Sequence, residues 1–123
     1  MIALLLIAHG SRREEANAEL QSIAAEIRRR RRYPVVEGAF LELVEPDIAA
    51  GGADCVAQGA TKVILLPYFL SPGKHVVEDL AEAKKRLSQR FPQVRFVLAE
   101  PLGRHPLLLQ AIEERAQEAE GKQ

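Results

Sequence analysis

The chain contains four apolar runs of strand length, and each is followed by a segment long enough to form a helix. The runs cover residues 2–8, 35–41, 62–70 and 94–99. They are continuous rather than alternating, as in strands that are buried on both faces of a parallel sheet. Because strands and helices alternate, the pattern predicts a small open α/β fold with four parallel strands, right-handed crossovers and helices on both faces.

The segments between the runs have the properties of helices. Apolar residues recur at helical spacing over residues 14–31 and leave charges on the other side, which predicts an amphipathic helix. Two further helices are predicted at residues 76–91 and 106–119. Pro46 suits the first position of the remaining helix. That helix contains Gly51 and Gly52, which weaken it by about 1 kcal/mol each and suggest local looseness.

Length and composition predict one globular domain that spans residues 1–123. Hydrophobic residues make up 47% of the chain and charged residues 28%. Lys and Arg together number 17, as do Asp and Glu, so no net field draws the protein to nucleic acid or to an anionic membrane. Five consecutive arginines at 28–32 end a helix, where cations complement the negative helix terminus, and no aromatic residues are interleaved with them. Neither nucleic-acid nor membrane binding is therefore expected.

The single cysteine and the first apolar run indicate a cytoplasmic protein. Cys55 has no partner for an intramolecular disulfide, which fits a reducing compartment and a buried structural thiol. The run at residues 2–8 has no charged segment before it and is too short to span a bilayer. It is interpreted as the first strand.

Two histidines follow strands of the predicted sheet. In open α/β sheets ligands bind outside the carboxyl ends of the strands, and His9 and His75 follow the first and third strands. A neutral imidazole is a suitable ligand for Co(II), Ni(II) or Fe(II), so the pair is predicted to bind a metal ion. The alternative is that each histidine caps a helix or bonds a loop carbonyl.

Other polar residues follow the same strand ends. Glu42 directly follows the second strand, and its carboxylate can accept protons or help to position a metal. Asp79 lies four residues after His75, where it can orient the imidazole or form an ordinary surface pair. His105 precedes Pro106 and is interpreted as the start of a helix.

Cations near the predicted rim are candidates for binding an anionic ligand. Ser11, Arg12 and Arg13 open the first helix, where free backbone N–H groups also favour anions, and Lys74 lies next to His75. Ordinary capping by Ser11, with two solvated arginines, remains the alternative.

Taken together, these motifs resemble those of the short-form sirohydrochlorin chelatases of the CbiX family, which are related in fold to class II ferrochelatases. The resemblance covers nearly the whole chain. Its elements, in order, are His9-Gly10-Ser11-Arg12, Phe40-Leu41-Glu42 with Glu45-Pro46, the stretch from Pro67 to His75, Asp79, Pro101-Leu102-Gly103 and His105-Pro106.

The resemblance implies a lyase that inserts a divalent metal ion into sirohydrochlorin. Cobalt is the leading candidate, towards cobalamin, with iron towards siroheme or nickel towards a methanogenic cofactor as further possibilities. His9 and His75 then bind the metal, which is a substrate rather than a permanently bound cofactor, and Glu42 helps to remove the pyrrole protons.

The resemblance also implies which surfaces meet the substrate and a second subunit. Sirohydrochlorin carries several carboxylates, for which Arg12, Arg13 and Lys74, with Ser11, are suitable partners. Larger relatives enclose the macrocycle between two such half-units, so a homodimer with a shared cleft is expected.

Three other functions use the same features. A histidine-phosphatase type of phosphoryl-transfer enzyme also has a His-Gly pair after its first strand, but it places an Arg immediately before that His, where this chain has Ala8. A non-catalytic carrier of tetrapyrrole or metal would use the same rim without turnover. A flavodoxin-like interaction module would leave the two histidines without a shared purpose.

Overall fold

A computed structural model describes residues 1–122 of the chain and confirms the predicted α/β sheet. Its four strands are β1 (Ile2–Ala8), β2 (Val35–Phe40), β3 (Lys62–Pro67) and β4 (Arg95–Leu98). They are parallel and lie in the order β2-β1-β3-β4. The chain therefore steps outward from β1 to β2 and then crosses to the other side of β1. This reversal places a crevice at the carboxyl ends of β1 and β3, where such folds bind ligands.

Four helices alternate with the strands, as predicted. They are α1 (Glu14–Arg29), α2 (Ile48–Ala57), α3 (Lys74–Arg90) and α4 (Pro106–Glu120). α1 packs on one face of the sheet, and α2 and α3 pack on the other. Leu20 and Ala24 are the buried side chains of α1, at the spacing that the amphipathic pattern predicts.

The third apolar run leaves the sheet earlier than predicted. β3 ends at Pro67 rather than at residue 70, because Leu65 is its last partner for β4 and Pro67 its last partner for β1. Residues 68–70 continue into the loop beyond the sheet. Tyr68 and Phe69 are partly buried at that rim, whereas Leu70 is exposed.

The core has one layer on each face of the sheet. Alternate residues of the central strands point to opposite sides, so Leu5 and Leu65 pack towards α2 and α3, whereas Leu4 and Leu6 pack towards α1. All four of these leucines are buried. The apolar run of β1 is continuous because both faces of this strand are buried.

The prediction of looseness at Gly51 and Gly52 is wrong. Both glycines are buried inside an uninterrupted α2. A Cβ atom at Gly51 would lie 2.9 Å from the Ala39 Cβ, and one at Gly52 would lie 2.7 Å from the Leu87 Cδ2. The glycines therefore allow α2 to approach both the sheet and α3 closely.

The predicted start of α2 at Pro46 is also wrong. α2 begins at Ile48, and Asp47 is its N-cap, with a side chain that accepts a hydrogen bond of 2.8 Å from the Ala50 N–H. Pro46 therefore lies in the turn before the helix, and the Glu45-Pro46 bond is cis. Within the described part of the chain, no helix has both the length and the apolar character that a membrane span requires.

Candidate active site

The loops that follow β1 and β2 are joined by backbone hydrogen bonds. The Leu41 N–H donates to the Ala8 carbonyl at 3.0 Å, and the Glu42 N–H donates to the His9 carbonyl at 3.1 Å. Gly10 makes this approach possible, since its φ is +100° and a Cβ there would lie 2.0 Å from the Glu42 carbonyl oxygen. The backbone thus brings residues 9 and 42 side by side.

His9 and Glu42 form the central contact of the site. The His9 Nε2 lies 2.6 Å from the Glu42 Oε1. An ionised carboxylate only accepts hydrogen bonds, so Nε2 carries the proton and, in a neutral imidazole, Nδ1 keeps the free lone pair. The two side chains are 52% and 58% exposed, so an incoming ligand can reach them. The pair combines a nitrogen that is able to ligate a metal with a carboxylate that can accept a proton.

Phe69 contacts the other side of the His9 ring. The two ring centroids are 6.5 Å apart and the planes meet at 75°, an edge-to-face arrangement. The Phe69 carbonyl accepts a hydrogen bond of 3.0 Å from the Leu102 N–H. Gly103 packs so closely on this loop that a Cβ would lie 1.6 Å from the Leu70 carbonyl oxygen. The segments after β3 and β4 are therefore also joined, and together the four strand-end loops form one rim.

His75 and Lys74 lie in the first turn of α3, after the N-cap Gly73. Both side chains are exposed. Among residues 1–122, no group of three or more His, Cys, Asp or Glu side chains is close enough to hold a metal ion. The structure therefore joins His9 to Glu42 but does not assemble these two and His75 into one metal centre. Asp79 lines a groove between α2 and α3, together with Asp47 and Arg86.

Ser11 organises the turn that leads into α1. Its hydroxyl accepts a hydrogen bond of 3.0 Å from the Arg13 N–H. Its backbone is held by Asn17, whose Oδ1 accepts from the Ser11 N–H at 2.9 Å and whose Nδ2 donates to the Ser11 carbonyl at 2.7 Å. The N-cap position is Arg13, so the alternative in which Ser11 caps α1 is excluded. Arg12 and Arg13 remain exposed, with Arg13 3.5 Å from Glu15.

His105 has the structural role that the sequence predicts. It is the N-cap of α4, and its Nδ1 accepts a hydrogen bond of 3.1 Å from the Leu107 N–H. Pro106 fills the first helical position, where the missing N–H costs nothing.

Among residues 1–122, two groups have raised pKa values. Burial, with Glu37 and Asp54 nearby, raises the pKa of the Cys55 thiol to about 12. This keeps the thiol protonated at neutral pH, which agrees with a structural role and excludes a thiolate nucleophile. Burial, with Glu19 nearby, also raises the pKa of the Tyr68 phenol.

Sequence reasoning missed Phe69 and Asn17. Phe69 was assigned to a strand because the apolar run continues through it, and only the loop geometry shows its contact with His9. Asn17 lies inside α1, where a polar side chain ordinarily indicates solvent exposure. The available signal was the residue type, because an asparagine near the start of a helix readily forms hydrogen bonds with nearby backbone groups.

The fold and the site define a class of protein: a doubly wound α/β unit with a histidine–carboxylate pair at the switch point of its sheet. Comparison with known proteins identifies the family. The sequence model of the CbiX family matches residues 3–119, and the chain belongs to this family.

Individual relatives agree with this assignment. The chain is 36% identical over 114 residues to the chloroplastic sirohydrochlorin ferrochelatase of Arabidopsis thaliana, which covers 93% of this chain and 51% of the relative. It is 30% identical over 119 residues to the sirohydrochlorin cobaltochelatase of Sulfolobus acidocaldarius, covering 97% of this chain and 93% of the relative.

A solved structure shows the same fold. The sirohydrochlorin chelatase SirB of Bacillus subtilis, crystallised in complex with cobalt, superposes with a TM-score of 0.86 at 32% identity. The match covers 95% of this chain and 50% of SirB. The chain spans about half the length, or less, of the first curated relatives that it matches.

Proposed function

We propose that this protein is a sirohydrochlorin chelatase, a lyase that exchanges the two pyrrole N–H protons of the macrocycle for a divalent metal ion. Cobalt is the favoured metal, because the relative of similar length from Sulfolobus acidocaldarius carries the name cobaltochelatase. Iron and nickel are alternatives, since a histidine site alone does not select among these metals. The observation that supports the proposal most directly is the His9–Glu42 pair at the switch point of the sheet.

The reaction needs a ligand for the metal and a base for the protons. His9 supplies the ligand, since its Nε2–H donates to Glu42 and its Nδ1 is left free. Glu42 accepts one pyrrole proton, passes it to solvent from its exposed side chain and then accepts the second, while the metal leaves His9 for the ring nitrogens. A metal that must be transferred needs few protein ligands, which fits a rim without a preformed cluster of three.

His75 is assigned as a second metal ligand within the assembled enzyme. It lies in the first turn of α3, at the same rim as His9. Ser11, Arg12, Arg13 and Lys74 are assigned to the carboxylates of sirohydrochlorin. The exposed guanidinium and ammonium groups match that charge, and guanidinium groups suit bidentate contact with carboxylates.

The working form of the enzyme is proposed to be a cytoplasmic homodimer of single-domain subunits, each spanning residues 1–123. This chain covers 51% of the Arabidopsis thaliana ferrochelatase, so two half-units together have about the length of that relative. The proposal includes no permanently bound cofactor, because the metal enters and leaves as part of the reaction.

The test is the visible absorption of sirohydrochlorin with Co²⁺ over time, with and without protein. We expect the wild type to accelerate the spectral change in proportion to its concentration. His9→Ala and His75→Ala are expected to fall towards the rate without protein, a loss beyond the about 10–100-fold typical of removing an outer hydrogen-bond partner. His105→Asn is the matched control, because asparagine also caps helices and this histidine lies outside the proposed site.

The same assay distinguishes an enzyme from a non-catalytic carrier. A carrier binds sirohydrochlorin or Co²⁺ but leaves the insertion rate at the value without protein. That result would contradict the proposed activity while leaving the fold and the family unchanged.

A further inference from the structure

Leu43 has an unusual backbone conformation in the loop that follows β2. Its φ is 69°, in the left-handed region that a bulky residue rarely adopts. The Val44 N–H donates to the Glu42 carbonyl at 2.8 Å, so residues 42–44 form a γ-turn. With a positive φ at its centre, this is the rare and strained form of the turn. A glycine at position 43 would adopt the same conformation with less strain.

Leu43 also differs from the other apolar residues of this loop in its exposure. Leu41 packs against the core layer under α2 and α3, and Val44 packs against the layer under α1. Leu43 lies between them in sequence, yet its side chain is 62% exposed. An exposed side chain removes little apolar surface from water, so it contributes little to folding. The stability of the fold therefore does not account for a leucine on this strained backbone.

The surrounding structure fixes the turn on both sides. The Phe40 N–H donates to the Pro46 carbonyl at 2.9 Å, which joins the two ends of the loop. The Glu42 N–H is bonded to the His9 carbonyl, and a Cβ atom at Gly10 would lie 2.0 Å from the Glu42 carbonyl oxygen. Strained backbone persists only where its surroundings fix it, and it is concentrated at binding and active sites. The strain therefore indicates a function for the side chain that the turn exposes.

The position of Leu43 favours a ligand with an apolar face. Leu43 directly follows Glu42, the proposed proton acceptor, and consecutive Cα atoms are about 3.8 Å apart. A macrocycle whose inner nitrogens reach the Glu42 carboxylate must cover the neighbouring part of the rim with its outer rings. Leu70 and Val77, after β3, are also exposed, by 62% and 50%. Apolar side chains at the rim gain from contact with a ring face, because that contact removes apolar surface from water.

We propose that Leu43 packs against the face of bound sirohydrochlorin, and that the strained γ-turn holds this side chain outward beside Glu42. The inference rests on the proposed function and names a residue that binds the ring itself rather than its carboxylates. Burial of one leucine side chain strengthens binding by about tenfold or more. The contact between His9 and Glu42 involves only those two side chains. Loss of the leucine should therefore weaken binding of the macrocycle and leave binding of Co²⁺ unchanged.

The test compares three substitutions at position 43 by absorbance titration of sirohydrochlorin without metal. Leu43→Ala keeps the strained backbone but removes most of the side chain, whereas Leu43→Gly removes both the side chain and the strain. We expect each of these two to raise the dissociation constant about tenfold. Leu43→Met has nearly the same volume and should bind like the wild type. Separate Co²⁺ titrations of all three variants should match the wild type.

Urea unfolding distinguishes a binding role from a structural one. Leu43→Gly should leave the unfolding midpoint equal to or above that of the wild type, because relief of strain in the folded loop offsets the extra freedom of the unfolded chain. Arg31→Gly is the matched control. Arg31 also has a positive φ, of 60°, but it follows α1 at the opposite end of the sheet. This control should change the midpoint in the same direction and leave sirohydrochlorin binding unchanged.

Four results would overturn the inference, and they differ in what else they exclude. If Leu43→Ala and Leu43→Gly bind sirohydrochlorin like the wild type, the contact fails and the proposed function stands. If Leu43→Gly unfolds at a clearly lower urea concentration, the side chain serves the fold. If either variant has a lower molar mass than the wild type on a sizing column, the side chain packs against a second copy instead. If the wild type itself does not bind sirohydrochlorin, the contact and the proposed function fail together.

Discussion

At the residue scale, the proposed function gives Glu42 two separable tasks: it orients His9, and it accepts protons from the substrate. Glu42→Gln keeps a carbonyl oxygen that accepts from the His9 Nε2–H, but it removes the base. We expect insertion to slow about 10–100-fold, while the affinity for Co²⁺ changes little. Glu42→Ala should lose both properties. The measurements are the insertion rate and, separately, a Co²⁺ titration.

The comparison of the two variants decides between the tasks. If the Glu42→Gln variant inserts the metal at the wild-type rate, Glu42 only positions the imidazole. A glutamine variant that binds Co²⁺ as weakly as the alanine variant would mean that orientation requires the full charge. The 2.6 Å contact between Nε2 and Oε1 makes the first of these outcomes testable with a side chain of nearly the same size.

Cys55 offers a test of the core at the same scale. Its pKa of about 12 keeps the thiolate population very small at neutral pH, and the side chain is fully buried. We expect iodoacetamide to leave the folded protein unmodified at neutral pH and to label it once denaturant unfolds it, as read by mass spectrometry. Rapid labelling of the native protein would show that the contact between α2 and the sheet opens readily.

At the scale of elements, α2 depends on the absence of two side chains. Gly51→Ala places a methyl group against Ala39, whose Cβ cannot move without its strand. Gly52→Ala instead meets the flexible end of Leu87. We expect the alanine at 51 to lower the free energy of unfolding by roughly 1–3 kcal/mol, and the alanine at 52 by less, since a gain in helix propensity of about 1 kcal/mol offsets part of the clash.

Urea unfolding measures both changes. Gly121→Ala is the control, because the nearest atom to an added Cβ there is 3.8 Å away, and it should stay within about 0.5 kcal/mol of the wild type. Equal and small effects at 51 and 52 would show that α2 can shift away from the sheet.

The elements themselves were predictable because burial on both faces leaves continuous apolar runs, and β1 was predicted with the bounds that the structure has. The end of β3 was not predictable, since it depends on where its neighbours stop. The sequence placed His9 and Glu42 at strand ends on one rim, but it paired His9 with His75 and did not predict the contact with Glu42. Nor did it predict the contact between Phe69 and His9, because that contact depends on how two loops distant in sequence pack together.

At the scale of the whole molecule, one subunit presents an open rim rather than a closed cleft. Leu43 and Leu70 are each 62% exposed, and Val77 is 50% exposed, in the loops and the first helical turn that follow β2 and β3. A macrocycle has two faces, and one subunit supplies a surface for only one. Under the proposed function, water must be excluded from the reacting nitrogens to strengthen their interactions with His9 and Glu42, and this predicts a second rim.

This requirement predicts the binding stoichiometry. If two rims enclose one macrocycle, the wild type should bind one sirohydrochlorin per two chains, as measured by an absorbance titration at protein concentrations well above the dissociation constant. One macrocycle per chain in the wild type would contradict a shared cleft. It would mean that each His9–Glu42 pair works on its own substrate, with the second copy contributing stability alone.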